Sequence, residues 1–426
     1  MGLAFLLGGF VVGIVIGLPI AFALGIAALA AAFYEGLPEL IVFQRMIAGM
    51  NVFSLLAIPF FIFAGELMMR GGIAMRLVRF AQAVVGQMRG GLGLVNVLSS
   101  MLFGGISGSA VADTSALGSV LIPMMREKGY DDDYAVNVTV TSSIAGVMVP
   151  PSHNMILYAL AAGGGISISS LFLAGVVPGI IMCLCLGIAS YVVAIRRDYP
   201  AEPFPGIGPA LITGIVALPG FLTAVVIIGG VVSGIFTVTE SAAIGVIYAL
   251  LVTVFVYRSL SLHDFWRSVL QSIRTTAMVM VLIGTATSFA YFLALYQVPA
   301  AILDLLLNIT ESKIVLLLLI NIALLVLGAF MDMGALILIC TPIFLPVVRQ
   351  IGMDPVQFGM LLMMNLGLGL TTPPVGACLF VGCSIAKVKI ETVLRTIWPF
   401  YFAVLVALLL TTYVPAVSLS LPALFD

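Results

Sequence analysis

Charge is what this chain of 426 residues has least of. Charged residues make up 8% of it and hydrophobic residues 62%, and the mean hydropathy is +1.27. So few polar side chains cannot cover a globular protein in water, which excludes a soluble fold and places the chain in a membrane. The formal net charge is −1, and without a large basic patch the chain is not expected to bind nucleic acid. The apolar runs are long and do not alternate, so the membrane spans are predicted to be helices.

Reactive side chains are also few. The five cysteines lie apart inside apolar runs, without the spacing of metal ligands or of a disulfide framework, and are interpreted as packing residues: Cys183, Cys185, Cys340, Cys378 and Cys383. The sequence contains no cluster of metal ligands and no pair of catalytic acids. Ser152 and His153 are adjacent, and neighbours in sequence do not face each other on a helix. We therefore do not expect an enzyme.

Two long apolar segments are interrupted near their midpoints by glycine-rich stretches. Segment 91–125 is broken at 104–109, and segment 314–349 is broken at 328–334. Each arm has about 15 residues, or about 22 Å of helix, whereas crossing a membrane takes about 20 residues. We predict that both segments are re-entrant hairpins. The first apolar run, residues 3–33, is interpreted as a membrane span.

The distribution of basic residues supports this interpretation. If both hairpins return to the side from which they enter and the N-terminus is cytoplasmic, 14 of the 17 basic residues fall in cytoplasmic loops. Such a bias is expected of the correct orientation. It predicts a C-terminus on the outer side, a first hairpin that opens to the cytoplasm and a second hairpin that opens to the outside.

The two halves of the chain are related in sequence. Six residues recur 223 positions later, which pairs Pro123, Gly129, Asp131, Gly146, Pro150 and Pro151 with Pro346, Gly352, Asp354, Gly369, Pro373 and Pro374. We predict an all-α polytopic membrane protein built as an inverted-topology repeat with discontinuous helices, the plan of many secondary transporters. The first repeat covers residues 1–200 and the second covers 208–415. The discontinuous helices are predicted at 133–163 and 355–386.

Two adjacent prolines interrupt each discontinuous helix. Proline lacks an amide donor and clashes with the carbonyl one turn upstream, so the backbone is predicted to unwind at 146–149 and at 369–372. Carbonyls freed within a membrane need a partner, and Na⁺ is a suitable one. The helices that restart at Ser152 and Val375 offer positive N-terminal ends to an anion. The alternative is that the prolines only bend a helix against its neighbour.

Four acidic residues lie within apolar stretches, where carboxylates are candidates for function. Asp332, in the second glycine-rich stretch, is expected to face the binding site. Asp113 follows the first stretch, where capping of a helix N-terminus is an alternative role. Glu240 is interpreted as a capping acid, and Glu66 as the partner of Arg70 in an i,i+4 ion pair.

Two further polar residues follow the first pair of prolines. His153 is a candidate for proton relay or substrate contact, with a packed or hydrogen-bonded histidine as the alternative. Asn154 carries an amide that is suited to bind a carboxylate. Both residues therefore belong to the predicted site region.

Six stretches carry a resemblance to a known family. They are IPFFIFAGELM at 58–68, GGISGSAVADTSALGSVLIP at 104–123, GVMVPPSHNMILY at 146–158, GIFTVTESAAIG at 234–245, GAFMDMGALILICTPIFLP at 328–346 and NLGLGLTTPPVG at 365–376. Together they resemble the large, DctM-like membrane subunit of tripartite ATP-independent periplasmic (TRAP) transporters, within the ion-transporter superfamily. The family pattern has a proline where this chain has Val238, and that departure affects a helix start.

This resemblance implies a secondary active transporter of the bacterial inner membrane that works by an elevator mechanism. It implies coupling to two or more Na⁺ ions, and small organic acids as substrates, such as C4-dicarboxylates and sialic acid. The implied partners, besides membrane lipid, are a periplasmic substrate-binding protein (DctP-like) and a small four-helix membrane subunit (DctQ-like). Because the first apolar run begins at residue 3, we expect the small subunit to be a separate chain. The N-terminus is expected to be cytoplasmic and the C-terminus periplasmic.

The resemblance also implies binding residues. The sodium ligands implied for the first repeat are Gly104, Ser107, Gly146, Val149 and Pro151. Those implied for the second are Gly328, Gly369, Thr372 and Val375, with the Thr372 hydroxyl as an additional ligand. The substrate is expected near Ser109, Asn154 and Asp332.

Residues 91–165 and 314–386 are expected to move as one body against the remaining helices. Two other functions stay open at this point. One is a stand-alone Na⁺- or H⁺-coupled dicarboxylate or citrate carrier of the same superfamily, which needs no binding protein. The other is an ion channel, which would conduct without substrate.

Overall fold

The computed structural model describes residues 1–425, and its regular structure is helical throughout that range. In chain order the helices are α1 (Gly2–Val15), α2 (Ile20–Tyr34), α3 (Leu40–Met50), α4 (Ala57–Arg70), α5 (Ile73–Val85), α6 (Gly91–Ser107), α7 (Ala110–Glu127), α8 (Asp132–Ser142), α9 (Ala145–Met148), α10 (His153–Ala161), α11 (Ile168–Arg196), α12 (Ile207–Val232), α13 (Val238–Leu251), α14 (Leu262–Leu295), α15 (Val298–Ile309), α16 (Lys313–Phe330), α17 (Met333–Gln350), α18 (Pro355–Gly369), α19 (Ala377–Ala386), α20 (Ile390–Leu394), α21 (Trp398–Tyr413), α22 (Pro415–Leu419) and α23 (Pro422–Phe425). A 3₁₀ turn at Phe53–Leu56 leads into α4, and a π-helical turn at Val252–Val256 follows α13.

Several of these helices are long and apolar enough to cross a membrane. Within residues 1–425 seven helical segments meet that condition by length and composition, or eight if the bent assembly of α8, α9 and α10 counts as one span. The longest, α14, has 34 residues, well beyond the roughly 20 that a span requires. The prediction of an all-α protein that crosses the membrane several times is confirmed.

The first apolar run does not form a single span, so that prediction was wrong. It folds as α1 and α2, of 14 and 15 residues. Gly9 faces Ala27 and Gly13 faces Ala23, which shows that the two helices run antiparallel. Small residues on the facing sides let the two helices approach closely. Gly17 lies in the turn between them with φ at +87°, a conformation that favours glycine.

Both proline pairs interrupt helices, as predicted. Residues 149–152, here called the first break, separate α9 from α10, and residues 370–376, the second break, separate α18 from α19. The chain bends by 54° across the first break. The Pro150–Pro151 and Pro373–Pro374 peptide bonds are cis.

The predicted limits of the unwound backbone need correction. Gly146 lies within the short helix α9, where its amide donates to the carbonyl of Ser143 at 2.9 Å, and that bond keeps the turn closed. Unwinding therefore begins at Val149, later than predicted. Downstream, the helices restart at α10 and α19, one residue after Ser152 and two after Val375.

The two glycine-rich stretches form turns between paired helices. Residues 104–109, the first tip, contain the turn between α6 and α7, and residues 328–334, the second tip, contain the turn between α16 and α17. The arms have 17 and 18 residues in the first pair and 18 in each arm of the second, more than the sequence suggested, because tip glycines continue the helices. Arms of that length approach a full span, so re-entrance stays a prediction.

The two repeats interlock at the centre of the molecule. Within each repeat the first arm packs against the broken helix: α6 contacts α8 and α9, and α16 contacts α18. The second arms pack across the repeats, α7 against α19 and α17 against α10. Outside this central body, α4 packs on α13 and α14, and α3 packs on α14. Each second arm therefore contacts the broken helix of the other repeat.

Candidate functional site

The first tip lies in backbone contact with the first broken helix. A Cβ placed on Gly104 would lie 2.7 Å from the carbonyl oxygen of Ala145 and 3.0 Å from the Cα of Gly146. A Cβ on Gly146 would in turn lie 3.2 Å from the carbonyl oxygen of Ser109. Glycine is required for this approach because any side chain would push the two backbones apart. Gly104 and Gly146, both predicted sodium ligands, are thus brought together.

The remaining predicted residues of the first repeat surround this contact. Gly108, with φ at +61°, lies beside the carbonyl of Pro151, which is 3.2 Å from its built Cβ. Its own carbonyl accepts from the side-chain amide of Asn154 at 3.4 Å. The Ser107 hydroxyl donates to the carbonyl of Ser109 at 3.4 Å. The side-chain amide of Asn154 therefore joins the tip to the start of α10.

Several oxygen atoms here lack protein donors. Pro150 has no N–H and cannot donate to the carbonyl of Gly146, the bond that an uninterrupted helix would make. The buried hydroxyl of Ser152 has no hydrogen-bond partner among residues 1–425. Buried polar atoms are rarely left unsatisfied, so this set of oxygens is suited to surround a small cation.

Asp113 places a carboxyl group in this region. Its side chain is fully buried, and neither carboxylate oxygen has a hydrogen-bond partner within the described part of the chain. The Cβ of Asp113 lies 3.4 Å from the position of a Cβ on Gly146. Ser109 caps α7, so the alternative of Asp113 as the cap is wrong. A buried carboxylate without a partner favours a cation nearby.

The second tip makes the equivalent backbone contact. A Cβ on Gly328 would lie 3.2 Å from the Cα of Gly369. The Val375 amide donates to the carbonyl of Ala329 at 3.0 Å and joins the second break to the second tip. The amide of Thr372 donates to the carbonyl of Gly369 at 3.0 Å. The four predicted sodium ligands of this repeat therefore lie together.

The hydroxyl of Thr372 keeps capacity for a further contact. It donates to the carbonyl of Leu368 at 2.9 Å, which uses its proton and leaves its lone pairs free to bind a cation. The second break is more open than the first: Val375 is 47% exposed, whereas Val149 is half-buried and its neighbours are buried. The two half-sites thus have similar backbone contacts, but the second is more exposed than the first.

Asp332 has a defined structural role. Its carboxylate accepts from the amide of Gly334 at 2.9 Å and caps the N-terminus of α17. Ser109, 223 positions earlier, caps α7 through the amide of Ala112. Asp332 is exposed and lies near α10, because Gly334 faces Leu157. The structure brings Ser109 and Asn154 together. Asp332 lies near α10, the same helix that carries Asn154.

A cavity of about 420 Å³ opens beside the first tip. On one side it is lined by Ser107, Ser109 and His153, and on the other by side chains of α4 and α14 that include Arg70 and Gln271. The predicted Glu66–Arg70 ion pair is present, with Nε and Oε2 3.5 Å apart, and it lines this cavity. The position of this ion pair in the cavity wall was not predicted, because the sequence does not show which outer helix faces the tip.

The interpretation of Glu240 as a capping acid is confirmed. Glu240 accepts from the amide of Thr237 at 2.8 Å, and Thr237 accepts in return from the amide of Glu240. These two bonds form a capping box at the start of α13. Glu240 is therefore not part of the site.

Buried amides join each first arm to its broken helix, and the sequence did not identify them as part of the site. Asn96 of α6 donates to the hydroxyl of Thr139 at 2.5 Å and accepts from Ser142 at 3.3 Å. In the second repeat Asn365 of α18 donates to the side-chain oxygen of Asn321 at 2.8 Å. Ser142 and Asn365 are 223 positions apart, so the same clamp recurs in both repeats.

Comparison with known families gives a match over nearly the whole chain. The family described as "Tripartite ATP-independent periplasmic transporter, DctM component" matches residues 7–417. The sialic acid TRAP transporter large permease protein SiaM of Vibrio cholerae is 38% identical over 410 residues, which cover 96% of each chain. The C4-dicarboxylate TRAP transporter large permease protein DctM of Rhodobacter capsulatus is 37% identical over 421 residues, again 96% of each.

A solved structure shows a similar fold. The YdaH transporter of Alcanivorax borkumensis superposes with a TM-score of 0.61, covering 88% of both chains at 13% sequence identity. At this identity the likeness concerns the arrangement of the helices.

Proposed function

This chain belongs to the DctM family of tripartite ATP-independent periplasmic transporters, and from that membership and the two half-sites we propose Na⁺-coupled uptake of a small organic acid. The observation that carries the proposal is that each glycine tip lies in backbone contact with a proline-broken helix, Gly104 against Gly146 and Gly328 against Gly369. Unwound backbone that offers carbonyl oxygens is the kind of site secondary transporters use for their coupling ions.

Each half-site is proposed to bind one Na⁺ as a transported ion. In the first repeat the carbonyls near the first break and the Ser107 hydroxyl supply oxygens, and the buried Asp113 carboxylate supplies the opposite charge. In the second repeat the Thr372 hydroxyl joins the carbonyls of Gly328, Gly369 and Val375. The closer burial of the first half-site leads us to expect its ion to bind more tightly.

The organic acid is proposed to bind between the tips. The hydroxyl of Ser109 and the amide of Asn154 offer hydrogen bonds to a carboxylate, beside the N-terminus of α10. Asp332 contributes by capping α17 and so fixing the second tip. Two relatives carry sialic acid and C4-dicarboxylate in their names, and a carboxylate is what these substrates share.

The movement is proposed to be an elevator motion. Residues 91–165 and 314–386 would move together, because the clamps of Asn96 and Asn321 and the crossed packing of α7 with α19 and of α10 with α17 tie them into one body. The body would slide against α4 and α14. Ligands drive such a change only through unequal affinity for the two positions.

The proposed partners are a small membrane subunit and a periplasmic binding protein that delivers the acid. We expect radiolabelled succinate or N-acetylneuraminate to enter proteoliposomes that hold this chain and its small subunit only with a Na⁺ gradient and the binding protein. Uptake without the binding protein would identify a stand-alone carrier. Uptake that responds to pH but not to Na⁺ would refute the sodium sites, and ion flux without any acid would indicate a channel.

A further inference from the structure

The cavity beside the first tip contains one side chain that suits an anionic substrate and that the site described so far does not use. Arg70 ends α4, and it faces the cavity from the side opposite Ser109. The wall between them closes at Gly65, whose built Cβ lies 3.2 Å from the carbonyl of Ile106 in the first tip. The outer helix and the tip are therefore in contact, and both Gly65 and Arg70 line the cavity.

Arg70 is poorly satisfied by its protein surroundings. Its Nε lies 3.5 Å from Oε2 of Glu66, yet both atoms are buried without a hydrogen-bond partner within residues 1–425. The Arg70 side chain is 31% exposed and that of Glu66 is 14% exposed. A guanidinium has five N–H donors in a planar fork that fits a carboxylate with two parallel bonds. The pair with Glu66 does not use that fork.

The other polar groups of the cavity are suited to the same ligand. Gln271 and Thr275 of α14 face it beside Arg70, and Ser109 and His153 face it from the central body. Glu66 is the one acidic residue of the lining. The volume of about 420 Å³ lies in the range of small-molecule pockets.

We propose that Arg70 binds the carboxylate of the transported acid in this cavity, in place of its weak contact with Glu66. The acid would then lie between Ser109 on the moving body and Arg70 on the outer helices. This inference rests on the proposed function. It adds a specificity-determining residue on the outer helices, at the end of α4 that the charge distribution predicts to be cytoplasmic, where an imported acid would leave.

The test compares the two members of the pair, because a ligand-binding arginine and a structural ion pair predict different results. Arg70→Gln is expected to raise the KM for succinate or N-acetylneuraminate by about tenfold or more, since a charge-assisted bond is lost. Arg70→Lys is expected to give a KM between those of the wild type and Arg70→Gln, because an ammonium keeps the charge but cannot form the two parallel bonds. Glu66→Gln removes the competing carboxylate and is expected to leave KM unchanged or lower it.

A second measurement locates the acid independently of transport. Thr275→Cys, reacted with a maleimide in detergent, is expected to be protected by saturating acid, and Arg70→Gln is expected to abolish this protection. Arg79→Gln is the matched control, since Arg79 lies on α5 and lines a different cavity. Its KM and the protection are expected to match the wild type.

Three outcomes would overturn the proposal. Equal losses in Arg70→Gln and Glu66→Gln, with equal falls in melting temperature, would show that the pair is only structural. An unchanged KM and intact protection in Arg70→Gln would show that the acid does not reach the guanidinium. Failure of the wild type to take up or bind any acid would refute the proposed function first and this inference with it.

Discussion

Gly328 and Gly369 touch through their backbones: a Cβ placed on Gly369 would lie 2.6 Å from the carbonyl carbon of Gly328 and 2.8 Å from its oxygen. Contacts this short are not made by real side chains. The pairing of two glycines is therefore what allows the second tip to approach the broken helix and place carbonyls from both on one small space.

The first prediction follows from that contact. Gly369→Ala is expected to separate α16 from α18 and to abolish most Na⁺-dependent uptake, with a loss of about 1–3 kcal/mol in the free energy of unfolding. Gly229→Ala, on α12 with open space around its Cβ, is the control and is expected to behave as the wild type. Normal Na⁺ dependence in Gly369→Ala would remove the backbone contact from the proposed ion site.

Two adjacent threonines provide a test of the second sodium site. The hydroxyls of both Thr371 and Thr372 donate to the carbonyl of Leu368, at 2.7 and 2.9 Å, but only Thr372 is a proposed ligand. Thr372→Ala is expected to raise the Na⁺ concentration for half-maximal uptake about tenfold, because one ligand is lost. Thr372→Ser keeps the hydroxyl and should show the wild-type Na⁺ concentration for half-maximal uptake.

Thr371→Ala is the matched control for that experiment. Thr371 is buried, so removal of its side chain should affect stability more than Na⁺ affinity. If both alanine variants changed the Na⁺ dependence equally, the hydroxyl of Thr372 would not be a ligand.

Two substitutions of Asp332 distinguish a structural role from one that depends on its charge. Asparagine caps helices as well as aspartate does, so Asp332→Asn is expected to retain most uptake, whereas Asp332→Ala is expected to lose about 1 kcal/mol of stability and most of the uptake. The measurements are uptake rate and melting temperature in the same preparations. A severe loss of uptake in Asp332→Asn at normal stability would assign the carboxylate to ion or substrate binding instead.

The amide clamp of the second repeat is expected to stabilise the central body. Asn321→Leu removes the side-chain oxygen that accepts from the buried amide of Asn365 at 2.8 Å and leaves this amide the backbone carbonyl of residue 321 at 3.0 Å. We therefore expect a loss of about 1 kcal/mol in the free energy of unfolding. The double change Asn321→Leu and Asn365→Leu should cost less than the sum of the single ones. Exposed Asn308→Leu is the control. Additive losses would show that the two amides act separately.

The sequence predicted those features that depend on local chemistry. Two adjacent prolines remove two successive backbone donors, so the breaks at Pro150 and Pro373 were predicted, although their limits shifted because α9 keeps one more turn. Single prolines such as Pro178 and Pro219 stay within α11 and α12. Glu240 was correctly assigned because a capping box is complete within four residues.

What depends on distant contacts was missed or misjudged. Hydropathy does not distinguish one long helix from two short antiparallel ones, so the turn at Gly17 was overlooked. Asp113 was given capping as an alternative role because its burial depends on α6 and α9, which the sequence does not place. The position of Arg70 opposite Ser109 depends on how the outer helices pack against the central body.

The crossed arrangement of α7 with α19 and of α10 with α17 has a thermodynamic consequence. An ion that orders the first tip also restrains the helix that follows the second break, so part of the conformational entropy that the second ion must remove is already lost. The two ions should then bind with positive cooperativity although they share no ligand, and Na⁺ activation of uptake should show a Hill coefficient above one. Loosening the packing of α19 on the first repeat with Gly382→Val, where a side chain would meet Val140 of α8, should bring that coefficient towards one while leaving both sets of ion ligands intact.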